Sequence, residues 1–138
     1  MPKSSSKELI LKDPIGAAIT DYWENGKAPA IDVFINGERD EAMEPSLFFR
    51  NYQQMKGYER LALSMCKGSV LDVGAAAGCH SLILQKRNLD VTAIEKSELA
   101  CNVMTARGVK RVFNENIFSL KDPIQYHFVV NEWFRDWW

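Results

Sequence analysis

Residues 70–81 read "VLDVGAAAGCHS", and how this stretch folds decides the rest of the chain. Val70, Leu71 and Val73 form a short apolar run of the kind buried in a parallel sheet. Gly74 stops the run, and four residues later Gly78 precedes "CHSLILQKR", which has helical spacing. Gly74 can take backbone angles closed to other residues. Gly78 lets a helix pack close to the strand, or lets a ligand approach the backbone. A strand, a glycine turn and a helix in that order describe the carboxyl end of a strand in an open α/β sheet. Such sheets bind nucleotides there.

The flanking sequence repeats this rhythm. "SVLDV" (69–73) and "LDVTAIE" (89–95) read as strands. "KSELACNVMTARG" (96–108) reads as a helix capped by Ser97, with Leu99, Val103 and Ala106 on one face. "VKRVFNENI" (109–117) gives a third strand and its exit loop, and "QYHFVV" (125–130) a candidate fourth. Strand–helix alternation at this pitch predicts an α/β fold, a Rossmann-like, doubly wound, mostly parallel sheet with right-handed crossovers.

The preceding residues predict N-terminal helices. In "DPIGAAITDYWENG" (13–26), Asp13 suits a cap, Pro14 the first helical position and Gly26 the end. "IDVFING" (31–37) closes on Asn36-Gly37 and predicts a small hairpin. "PSLFFRNYQQMKGYERLALSMCKG" (45–68) predicts the longest helix, with Met55, Tyr58 or Glu59, Ala62 and Met65 along one stripe and Gly57 as a break. The expected organisation is a flexible leader (1–12), a helical lid segment (13–68), a cofactor-binding half-domain (69–125) and a tail (126–138).

Composition excludes several classes. The chain has 138 residues, 46% hydrophobic and 25% charged, as in ordinary globular chains. A net charge of −1 gives no basic field for a nucleic-acid partner. No apolar run approaches a membrane span, and the N-terminus has no apolar signal core. Cys66, Cys79 and Cys101 are odd in number and widely spaced. They predict reduced thiols in a cytoplasmic protein, with neither a disulfide framework nor a metal site.

Two carboxylates define the ligand. Glu95 ends the second strand 21 positions after Gly74, where an acid accepts hydrogen bonds from both hydroxyls of a ribose. Asp72 stands two residues before the first glycine and would repel the pyrophosphate of a dinucleotide. An anion there suits a nucleoside ligand that is cationic and carries no phosphate. S-adenosylmethionine, with an amino group and a sulfonium, has that chemistry.

Across residues 69–120 the sequence resembles the class I S-adenosylmethionine-dependent methyltransferases. Their pattern VLDxGxGxGxxS matches at Asp72, Gly74, Gly78 and Ser81, and departs at Ala76, where glycine is usual. The resemblance implies a seven-stranded sheet in the order 3-2-1-4-5-7-6 and S-adenosylmethionine as cofactor. By the same resemblance, Asp72 and the backbone of Gly74, Ala75, Ala76 and Gly78 would hold the methionine end, with His80 reaching in from the first helical turn. Glu95 would hold the ribose, and Asn116 with Ile117 would lie against the adenine. Residues 45–68 resemble the pocket-covering helix of a small bacterial subgroup. The methyl acceptor is open; a small molecule is favoured.

Other residues are weighed against plain roles. Packing or capping explains His80 as well as ligand contact does, and His127 has no ligating companion. Cys79 lacks a paired base, and the surface of a lid helix accounts for Arg50 and Tyr52 as readily as substrate contact. Two alternatives stand beside the methyltransferase. A nicotinamide-dinucleotide fragment is disfavoured by Asp72, and a non-catalytic module would use the aromatic tail to dock a partner.

That tail, "NEWFRDWW" (131–138), holds three of the four tryptophans. Tryptophan has one codon, so reading one base later forces glycine at Trp133-Phe134 and again at Trp137-Trp138. The shifted frame can spell the "TILLLMNG" run and glycine-rich turn that relatives carry. The tail is thus expected to be the product of a frameshift near Asp122–Gln125, and the chain a truncated fragment with little or no turnover.

Overall fold

A computed structural model describes residues 8, 11–120, 126 and 128–131 of the chain. Helix α1 spans Pro14–Asn25. Its Asp13 cap accepts from the Gly16 N–H at 2.8 Å, and Pro14 sits where its missing donor is not needed. Gly26 ends the helix at φ 71°, its N–H reaching the Tyr22 carbonyl at 2.8 Å. In the expected leader, Glu8, Leu11 and Lys12 have helical backbone, and Lys12 pairs with Glu8 at 2.7 Å. Strands β1 (Phe34–Ile35) and β2 (Glu38–Arg39) form the antiparallel hairpin predicted around Asn36-Gly37. The two turn residues have φ of 52° and 84°, as a tight two-residue hairpin requires.

The longest helix candidate, 45–68 with a break at Gly57, is instead three pieces. Two 3-10 turns, Pro45–Phe49 and Tyr52–Gln54, precede helix α2, Gly57–Met65. Extended backbone at Arg50 (ψ 141°) and Met55 (ψ 150°) separates them. Asn51 is the reason for the second turn: its side chain accepts from the Gln54 N–H, and the Gln54 side chain accepts from the Asn51 N–H. Gly57 therefore opens a helix. The inward face of α2 is Glu59 and Leu63, whereas Met65 and Ala62 from the predicted stripe are exposed. An ion pair and one leucine set the rotation of this helix.

The second half follows the predicted alternation: β3 (Ser69–Val73), α3 (Cys79–Lys86), β4 (Asp90–Ile94), α4 (Glu98–Arg107), β5 (Val112–Phe113) and β6 (Phe128–Asn131). The sheet order is β5-β4-β3-β6, and every pairing is parallel. Strand β3 is flanked on both sides, which is why its residues are apolar apart from Ser69 at its start and Asp72. Helix α4 buries Ala100, Cys101, Val103 and Met104, so the expected face is rotated and Ala106 lies outside. Strand β6 takes residues 128–131 of the region read as aberrant and aligns Val70 with Phe128 through Val73 with Asn131. Trp133, Trp137, Trp138 and His127 lie outside the described residues.

Three apolar clusters support the site. Met55, Leu63, Val70, Leu84 and Val91 join α2 and α3 to the sheet. Ala75, Ala93, Cys101, Met104 and Val109 fill the space beneath α4. Ile19 and Phe48 pack with Ala76, Ala77, Ala100 and Val103, fastening α1 and the first 3-10 turn over the glycine turn. Full burial of Ile19 contributes about 1.5–3 kcal/mol. No helix among the described residues is long and apolar enough to cross a membrane.

Candidate cofactor site

Val73 and Ile94 are opposite one another at the ends of β3 and β4, so the glycine turn and Glu95 leave the sheet at one edge. The turn folds back on the neighbouring strand: the N–H groups of Gly74 and Ala75 donate to the Ile94 carbonyl at 2.9 and 3.2 Å. Gly74, Ala76 and Gly78 all have positive φ, at 66°, 50° and 79°. For Gly78 there is also no room, since a Cβ would lie 2.9 Å from Val109 Cγ2 and 3.0 Å from Met104 Cγ. Alanine tolerates the left-handed region poorly, and Ala76 is held there by Glu95.

Glu95 is buried, 8% exposed. Its Oε2 accepts from the Ala76 N–H at 2.9 Å and its Oε1 from the Ser97 N–H at 3.0 Å. Each oxygen keeps a second lone pair, so the carboxylate can still receive two hydroxyls. The methyl of Ala76 is directed into packing: the residue is 2% exposed and belongs to the Ile19–Phe48 cluster. Asp72 lies deeper, 2% exposed, accepting from Ser81 Oγ at 2.7 Å. That bond fastens the first turn of α3 to the strand and sets a buried carboxyl group beneath the turn.

Several residues not expected at the site complete it. Ser97 caps α4 through the Ala100 N–H at 3.1 Å and donates its own hydroxyl to Asp13 Oδ2 at 2.5 Å. The caps of α1 and α4 thus meet beside Glu95. Arg107 donates to the carbonyls of Ala77 at 2.5 Å and Phe48 at 3.5 Å, tying the turn to the lid. Asn114 donates to the carbonyls of Glu95 and Lys96 at 3.1 and 2.9 Å. Asp13 and Ser97 were legible as caps; nothing local in the sequence joins one to the other.

Asn116 is exposed, its side chain accepting from the Phe118 N–H at 3.0 Å to cap a 3-10 turn, and Ile117 beside it is half-buried. His80 is 5% exposed, with Nε2 3.5 Å from Glu59 Oε1. Glu59 in turn takes both terminal nitrogens of Arg50, at 2.8 and 2.7 Å. Arg50 and His80 therefore share one buried carboxylate. Tyr52 lies beneath the guanidinium groups of Arg60 and Arg87. All three cysteines are buried, and none forms a disulfide among the described residues. Burial, with the Glu95 charge adding to it, pushes Cys101 up to about 11, so it is protonated and no nucleophile.

No model of a known protein family matches the sequence. An uncharacterized methyltransferase of Staphylococcus carnosus (strain TM300) is 37% identical over 71 residues, 51% of this chain and 31% of that protein. A solved S-adenosylmethionine-dependent methyltransferase from Bacteroides fragilis, in complex with S-adenosyl-L-homocysteine, is 42% identical. It superposes with a TM-score of 0.74 over 80% of this chain and 46% of its own. The chain thus spans under half the length of either relative. By its sequence and by the parallel sheet it builds, the chain is similar to these S-adenosylmethionine-dependent methyltransferases and carries part of their fold.

Proposed function

We propose that this chain binds S-adenosylmethionine at the carboxyl ends of β3 and β4, as the cofactor-holding part of a methyltransferase. The observation that carries the reading is Glu95: a buried carboxylate, fixed by two backbone N–H groups, with a free lone pair on each oxygen at the mouth of the glycine turn. It would receive the ribose hydroxyls. The backbone of Gly74, Ala75, Ala76 and Gly78 would follow the methionine part. Asp72, as a carboxyl group beneath the turn, would favour the cationic sulfonium and amino group over a pyrophosphate. Asn116 and Ile117, on the loop after β5, would border the adenine. His80 would act from behind, through the Glu59–Arg50 pair that seats the first turn of α3.

When bound, the cofactor supplies an activated methyl group at a sulfonium carbon. The protein's part is orientation and exclusion of water. α1 and the Pro45–Phe49 turn pack over the glycine turn, which suits the second task. The acceptor is proposed to be a small molecule. Turnover belongs to the whole fold, so the deciding experiment reads binding. Calorimetric titration of the chain with S-adenosyl-L-homocysteine, S-adenosylmethionine and NADH is expected to show the first two binding and NADH failing. Tighter binding of NADH would reverse the reading.

A further inference from the structure

A groove of about 560 Å³ runs along the outer face of α3, between that helix and residues 49–53. Its volume is that of a small-molecule site. Lys86, Arg87, Arg107 and Arg50 line it, and among the described residues no aspartate or glutamate does. In a chain of net charge −1, this concentration is not a reflection of composition.

The four cations are not equivalent. Arg50 is satisfied by Glu59 at 2.7 Å. Among the described residues, no carboxylate lies within ion-pair distance of Lys86, Arg87 or Arg107. Arg87 donates to the Leu63 carbonyl at 3.1 Å and stands over the Tyr52 ring. Arg107 has the carbonyls of Ala77 and Phe48 and the ring of Phe49. These contacts satisfy donors and leave the charge uncompensated. Arg107 is only half-exposed, and burial draws its guanidinium below the usual range. A desolvated cation without a counter-charge is costly in any fold. The surrounding rings are already stacked: Phe49 against Tyr22 at 4.7 Å, and Tyr52 beneath two guanidinium groups. Among the described residues, what the groove lacks is negative charge.

We propose that this groove is an anion site, separate from the glycine turn, for a small molecule carrying several carboxylate or phosphate groups. Three uncompensated cations around one cavity fit a di- or trivalent anion better than a single carboxylate. Arg107 also holds the Ala77 carbonyl, so an anion bound there reaches the glycine turn through one side chain.

The test titrates the full chain with citrate and, separately, pyrophosphate, following heat at low salt and at physiological salt. One probe is expected to bind at a single site, and whichever binds more tightly assigns carboxylate or phosphate. Lys86 is exposed, so Lys86→Glu leaves packing intact and should weaken that binding about tenfold or more, about 1.4 kcal/mol. Lys27→Glu, an equal charge change at the end of α1, should leave it within about twofold. No heat with either probe would overturn the proposal. So would equal loss in both variants, since a general surface field would then explain the binding. Adding S-adenosyl-L-homocysteine separates this site from the glycine turn: the anion should still bind, and competition between them would place both ligands in one site.

Discussion

Glu95 Oε2 accepts the backbone N–H of Ala76 at 2.9 Å, across 19 positions of sequence. The residue proposed to grip the ribose is thus also the one that holds the turn in shape. Replacing it removes acceptors from two N–H groups, the buried one of Ala76 and the part-buried one of Ser97. Glu95→Ala is expected to cost about 2–4 kcal/mol in urea unfolding, because charged hydrogen bonds are lost and donors are stranded. Glu95→Gln keeps one oxygen but turns an amide against the other donor, and should lose about 1–3 kcal/mol. Both should weaken S-adenosyl-L-homocysteine about tenfold or more in calorimetry. Wild-type affinity in Glu95→Ala would remove this residue from the site.

Ala76 stands at φ 50° with its methyl buried. Ala76→Gly relieves about 1 kcal/mol of left-handed strain. It also loses a packed methyl, about 0.8 kcal/mol, and frees the unfolded chain. The terms nearly cancel, so the urea midpoint should move by no more than about 1 kcal/mol. Ala76→Val has no such balance: a branched Cβ at positive φ within a filled cluster should cost about 2 kcal/mol or more. A stable valine variant would mean that the turn is not held in this conformation.

The strand–turn–helix units were legible because each is set by local rules. Apolar runs, glycines and caps gave β3, α3, β4 and α4, and Asp13, Pro14 and Gly26 bounded α1. The parallel order β5-β4-β3-β6 follows from that alternation. The errors lie where distant residues decide. Residues 45–65 carry helical spacing, but Asn51 closes a local hydrogen-bonded turn and Arg50 leaves the helix to reach Glu59. The rotation of α2 follows from that pair. At the site, Glu95 and the glycines carry a readable pattern. The links from Asp13 to Ser97 and from Arg107 to Ala77 span 84 and 30 positions and have none.

Gly16 separates local from tertiary effects. Alanine is favoured over glycine inside a helix by about 1 kcal/mol, so in an isolated α1 the change Gly16→Ala would stabilise. In the fold, the new Cβ would lie within 2.1 Å of Asp13 Oδ2 and 2.3 Å of Ser97 Oγ. The two caps must then part. The expected result is a loss of about 1–3 kcal/mol in urea unfolding. Hydrogen exchange should rise at the first turns of α1 and α4. A gain in stability would show that α1 does not dock on Ser97 in solution.

Glu59 provides the acid limit. Burial acts to raise its carboxyl; hydrogen bonds from Arg50 and the Lys56 N–H, with the charges of Arg50 and His80, outweigh this and hold it at about 2, below the ordinary 4.5. A depressed folded-state pKa gives stability that is complete above about 4.5 and is lost as pH falls towards about 2. Glu59→Gln cannot show that loss. At neutral pH it should be about 3–5 kcal/mol less stable, because Arg50 loses its buried carboxylate. Between pH 4.5 and 2 its stability should fall less steeply than wild type. Urea midpoints measured across that window in both proteins decide the matter, and parallel slopes would show that another carboxylate governs acid unfolding.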